Sequence, residues 1–215
     1  MTAKNDINGL TQAEKAGTYN RLKRRLGYVE FGLGAAWLLL LLISGLTFDL
    51  RDLALGLGGG PAVWVLAYFF IAALFFELLT LPLNILSGFF LEKRFDLLNQ
   101  SASAWTWDYV KAVLLSLVLG GAVVELLYLF LGWAGRWWWI PAGGAFALFF
   151  VLLTQLTPVL ILPLFFKFKP LPETDFSRRL MALCDRAGAP VLGIYEWELS
   201  ARTRRANAAL AGWGP

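Results

Sequence analysis

Glu77 and Glu125 each stand inside a long apolar run, at 61–91 and about 109–131. A charge at membrane depth is costly, so such a group faces a polar cavity or finds a partner. Both residues can face such a polar cavity. The alternative is a protonated carboxyl, or one hydrogen-bonded to Asn84, Gln155 or Ser116. Glu92, Lys93, Arg94 and Asp96 form a balanced charge cluster just past the second apolar run. They read as a docking surface for another domain, or as a solvated helix end in which Glu92 and Asp96 repel at i,i+4. Asn207 and Ala208 open an apolar stretch near the end of the chain, where Asn suits the turn before a strand. Arg202, Arg204 and Arg205 read as a solvated loop, or as contacts for acidic headgroups or a substrate carboxylate. The 215 residues contain no histidine and one cysteine, Cys184. The commonest zinc ligand and the usual general base are therefore missing, and no intrachain disulfide can form. No catalytic residue and no metal ligand is assigned.

The elements that must position these groups are membrane helices. Hydrophobic residues make up 58% of the chain and charged residues 16%, arranged in long apolar runs. That pattern excludes an ordinary soluble domain and predicts a mostly α, polytopic membrane fold. Four stretches can span a bilayer: 28–48, 61–91, about 109–131 and about 138–166. Pro82 is expected to kink the second, and "GLGGGP" at 56–61 to turn the chain between the first two. The glycines at 120–121 and 143–144 suit close helix contact. Residues 1–27 are polar and basic. "TQAE" at 11–14 fits a capping box and predicts a helix over 12–26, lying near anionic headgroups. With no small-x-small cleavage site after the first apolar run, a retained signal anchor is expected. With the N-terminus cytosolic, 17 of the 19 Lys and Arg fall inside and only Arg51 and Arg136 outside. This is a strong positive-inside signal and places both termini in the cytosol. The net charge of +4 reads as topology and lipid contact, with no nucleic-acid partner.

Beyond Lys169 the chain turns polar. A helix is predicted over 175–187, capped by Thr174 or Asp175, with Phe176, Leu180, Leu183, Cys184 and Ala187 on one face. Gly188 suits the residue just past its end, and 191–197 reads as a strand. The domains are thus 1–27, a basic N-terminal segment; 28–168, four membrane helices; and 169–215, the start of a cytosolic α+β domain.

Three stretches in order resemble the type I CAAX prenyl endopeptidases, membrane-embedded zinc metallopeptidases. They are "LPLNILSGFFLEKRFDLLNQ" at 81–100, "PLFFKFKPLPE" at 163–173 and "SARTRRANAALAGWG" at 200–214. The resemblance covers about residues 60–215. It implies peptide-bond hydrolysis by zinc-activated water in the whole enzyme, with zinc held on an HExxH helix. No such helix occurs here, so the chain is expected to be the N-terminal membrane part, stopping before its catalytic centre and inactive alone. The resemblance also implies a chamber that Glu77 and Glu125 would line. Asn207 and Ala208 would contact an extended substrate, and Glu92, Lys93 and Arg94 would dock on the missing catalytic half. Expected partners are the lipid bilayer, that half, and a peptide or membrane-protein substrate. Compact loops and Trp-rich interfaces suggest a bacterial inner membrane. A non-catalytic membrane scaffold or partner subunit is the alternative, and a small transporter ranks last because no internal repeat is visible.

Overall fold

The computed structural model describes residues 11–166, 168–188, 191 and 193–197. The chain divides into two compact units, Met1–Ala142 and Gly143–Pro215.

The first unit begins with α1, Gln12–Ile43. The predicted capping box is present. Glu14 N donates to Thr11 Oγ1 (3.4 Å), and Thr11 N donates to Glu14 Oε2 (2.8 Å). The separate helix expected over 12–26 and the span expected over 28–48 are instead one continuous helix. No proline interrupts 12–43, and isolated glycines such as Gly27 cost only about 1 kcal/mol each. The helix also stops earlier than expected. Ser44 Oγ turns back onto Leu40 O (2.6 Å), Gly45 takes φ 78°, and a second helix starts at once. This is α2, Leu46–Gly56, so Arg51 lies on a helix and not in a loop. The expected turn follows, with Gly58 and Gly59 at φ 74° and 89°. Those values need glycine.

Pro61 then starts α3, Pro61–Ile85, at a position where its missing N–H costs nothing. Pro82 stands inside α3, and a π turn, Leu86–Phe90, leads into the short α4, Leu91–Arg94. Ser101 caps α5, Ala102–Trp133, by accepting from Ala104 N (3.2 Å). Gly120 and Gly121 of α5 allow α3 to come close. A Cβ on Gly120 would lie 2.6 Å from Phe69 Cζ, and one on Gly121 3.3 Å from Leu66 Cδ2.

In the second unit, α6 (Trp139–Leu156, which starts in the first unit) runs into a π turn, Thr157–Ile161, and then α7, Leu162–Phe165. A Cβ added at Gly143 or Gly144 would meet no described atom of the second unit within 4 Å. After α7 comes β1, Phe168–Pro170, and then α8, Asp175–Arg186. Thr174 caps α8 as expected, and Gly188 takes φ 66°. Among the described residues of the predicted strand, Tyr195–Trp197 form β2. It pairs antiparallel with β1, Phe168 opposite Trp197 and Pro170 opposite Tyr195. The residues of β1 were expected as a helix exit and loop. The strand expected from Ala208 lies outside the described residues.

Four helical tracts are long and apolar enough to cross a membrane: Ala13–Ile43, Pro61–Arg94, Ala102–Trp133 and Gly135–Phe165. Their apolar side chains are largely exposed, Phe31 and Leu42 among them. Lipid is as apolar as leucine, so such helices gain nothing by burying every face.

Candidate functional site

Three polar groups of α3, Glu77, Thr80 and Asn84, fall at i, i+3 and i+7 and so share one face. That face meets Tyr109 of α5. The Tyr109 hydroxyl donates to Glu77 Oε1 and accepts from Asn84 Nδ2 at 3.0 Å. Thr80, buried at 2% exposure, donates to Phe76 O (3.0 Å). Trp105 stacks on Tyr109, ring centroids 5.2 Å apart. Gly88 in the π turn makes room for it, since a Cβ there would lie 3.1 Å from Trp105 Cζ2. Of the partners weighed for Glu77, Asn84 is present, but it acts through Tyr109, which sequence reading missed. The stripe of three polar residues was the available signal, because it aims at one neighbour.

Glu92 sits at a second junction. Its carboxylate accepts from Tyr19 Oη and from Lys23 Nζ (2.7 Å), both on α1. Lys23 also donates to Tyr19 Oη at 2.9 Å. Tyr19 is buried and meets Phe95 edge-on at 5.4 Å. Lys93 lies over the Phe89 ring. Nearby, Asp108 accepts from Gln100 and pairs with Lys111 at 2.7 Å. The charged cluster 92–96 is thus tied to the N-terminal helix of its own chain, which its sequence did not disclose.

Glu125 has no such partner. Its Oε1 is buried and makes no hydrogen bond among the described residues. The structure does not bring Glu125 and Glu77 together. Tyr109, which holds Glu77, and Glu125 are 16 positions apart on α5, about 24 Å along the axis. A groove of about 1390 Å³ opens between α1, α2 and α3, with Val124 and Tyr128 of α5 on its wall. Neither Glu77 nor Glu125 lines it. Asn207 and Ala208 lie outside the described residues. In α8, Phe176 and Leu183 of the predicted apolar face are exposed.

A zinc centre was tested against these side chains. No group of three or more His, Cys, Asp or Glu stands together among the described residues, and the chain has no histidine. The side chains present among the described residues do not fit such a centre.

Four apolar helical tracts, two of them joined by the Tyr109–Glu77 contact, define a polytopic integral-membrane protein. The profile of the family described as CAAX prenyl protease N-terminal, five membrane helices, matches residues 5–167. The chain belongs to this family. Among the described residues four helical tracts qualify as spans, and α2 is too short to count as one. CAAX prenyl protease 1 of Saccharomyces cerevisiae is 32% identical over 142 residues, covering 63% of this chain and 30% of that protein. The uncharacterized metalloprotease YhfN of Bacillus subtilis is 25% identical over 199 residues, covering 93% of this chain and 46% of that protein. The chain therefore spans less than half the length of these relatives. The crystal structure of S. mikatae Ste24p shares the fold, with a TM-score of 0.78 at 24% identity, over 93% of this chain and 48% of that one.

Proposed function

We propose that this chain supplies the membrane-embedded part of a zinc metalloendopeptidase and cleaves nothing by itself. The observation that carries this reading is the family match over 5–167 in a chain without histidine. Zinc, when bound in the whole protein, would activate water and polarise the scissile carbonyl. Its ligands would come from outside these 215 residues. Residues 169–215 would begin the cytosolic peptidase domain. Glu92 braces the 92–94 corner from within, and Lys93 and Arg94 offer it to the catalytic half. Glu125 is the better chamber-lining candidate, since Glu77 already has a partner. The resemblance is the support for Asn207 and Ala208 as substrate contacts. The charge asymmetry supports cytosolic termini, and the long alignment to a Bacillus protein supports a bacterial inner membrane.

The test is to assay quenched peptides, prenylated and plain, with the purified chain and with the remaining portion of the Bacillus relative added. Hydrolysis that needs both parts and stops with a zinc chelator is expected. Chelator-sensitive hydrolysis by the chain alone would overturn the reading. Tight association of the two parts with no hydrolysis of any peptide would favour a scaffold.

A further inference from the structure

None of the residues assigned a role in the proposed proteolysis lines the groove between α1, α2 and α3. Small residues create it. Gly34 and Ala35 of α1 face Ala72 and Ala73 of α3, with Ala54 of α2 beside them. Small residues usually let membrane helices close on each other. Here even a Cβ added at Gly34 would meet only Phe76 Cζ, at 3.8 Å, and about 1390 Å³ stays open. That exceeds the roughly 300–1,000 Å³ of sites for drug-sized ligands.

The groove is also long. Its wall on α1 runs from Gly27 to Leu41, about 21 Å at helical rise. One leaflet of hydrocarbon is about 15 Å deep, half of a bilayer core. Leu38, Leu41, Leu55, Trp64 and Phe69 make the lining apolar, so water does not fill it. A pair of lipid tails matches this length, volume and polarity.

One end carries charge. Arg51 of α2 lines the groove there, and Thr47 and Tyr68 join their hydroxyls at 2.9 Å beside it. Two of the five guanidinium N–H donors go to Asp52 Oδ1, from Nε at 2.9 Å and Nη2 at 2.7 Å. The other three suit a phosphate. Asp52 pairs with Arg51 at 2.7 Å, so the two together are neutral. Glu30 adds a negative charge at the far end. A net-anionic headgroup meets net repulsion from this set. A headgroup with its own ammonium matches it: phosphate on Arg51, ammonium toward Asp52.

We propose that a membrane phospholipid with a zwitterionic, amine-bearing headgroup occupies this groove, its tails between α1 and α3 and its phosphate on Arg51. The site is separate from the proteolytic reading and stands if that reading fails.

The test is native mass spectrometry of the full 215-residue chain released from nanodiscs containing equal phosphatidylethanolamine and phosphatidylglycerol. One retained phosphatidylethanolamine per chain is expected, favoured about fivefold over phosphatidylglycerol. Arg51→Gln should erase the preference while a lipid is still retained. Ala72→Trp, which fills the groove, should lose both lipids. Ala35→Phe does the same from the opposite wall and replaces it if the first variant does not fold. No retained lipid, equal or greater retention of phosphatidylglycerol by the unaltered chain, or undiminished retention in the filled variants would overturn the proposal. So would disulfide crosslinking of two copies through Leu38→Cys, which would assign the groove to a second chain.

Discussion

Tyr109 of α5 and Glu77 of α3, 32 positions apart in the chain, are joined hydroxyl to carboxylate inside the membrane tracts. The same hydroxyl accepts from Asn84, so one phenol satisfies two polar groups of the facing helix. Tyr109→Phe should therefore strand both. Interhelical hydrogen bonds in membranes average about 0.6 kcal/mol, and an orphaned buried group adds to that. The expected loss is about 1–2 kcal/mol, read as a lower thermal midpoint in detergent. Glu77→Gln keeps an acceptor and should cost less. An unchanged midpoint for Tyr109→Phe would show the contact to be idle.

The Tyr19, Lys23 and Glu92 junction should split into a weak and a strong part. Lys23 is half exposed, so its ion pair with Glu92 is worth about 0.2–1 kcal/mol. Lys23→Glu should destabilise slightly, and pairing it with Glu92→Lys should restore most of the loss. Tyr19→Ala removes a buried ring packed on Phe95 and should cost about 3 kcal/mol. Hydrogen exchange along 12–26 should accelerate strongly in that variant alone. Equal effects for Lys23→Glu and Tyr19→Ala would contradict this division.

Glycine tolerance along α5 should be uneven. A Cβ at Gly120 runs into Phe69, and overpacking of this kind costs about 1–3 kcal/mol. Gly132 on the same helix has open space, so Gly132→Ala should be neutral or slightly stabilising. Phe69→Leu should rescue Gly120→Ala. If both alanine variants melt alike, α3 and α5 do not approach as described.

Elemental analysis of the dialysed chain should find far less than one zinc per molecule. The donors on hand are carboxylates and one thiol, a poor set for this metal. One tightly held zinc would reveal a carboxylate site.

Reporter fusions should fix the topology. A fusion after Pro215 should be active in the cytosol, and one in the Leu57–Gly60 turn should be exported. The reverse pattern would invert every assignment made from the Lys and Arg asymmetry.

What could be read from the sequence was local. Thr11 with Glu14, and Thr174 with the residues after it, announce helix starts because the bonds they make close within three residues. Gly188 marks an end because its φ is open to few other residues. The spans are evident from their length and apolarity alone. What stayed hidden depends on distant chain. Phe168 pairs with Trp197 across 29 positions, and three-residue strands carry no periodicity to betray them. The continuity of α1 was obscured by a change of solvent, not of backbone. A basic stretch and an apolar stretch look like two elements, yet nothing between them breaks a helix. Tyr109 was overlooked because an aromatic near a membrane boundary ordinarily needs no special explanation.

The π turn at Leu86–Phe90 works as a phase shifter. Its i→i+5 bonding slips everything after it by one residue, about 100° around the helix axis. Glu77 and Asn84 before the slip address α5, while Glu92 after it addresses α1. Removing one residue from Leu86–Phe90 would therefore act as a rotation more than a shortening. It would turn Glu92 off Tyr19 and Lys23 and leave the Tyr109 contact intact, uncoupling two junctions that one continuous rod otherwise keeps in step.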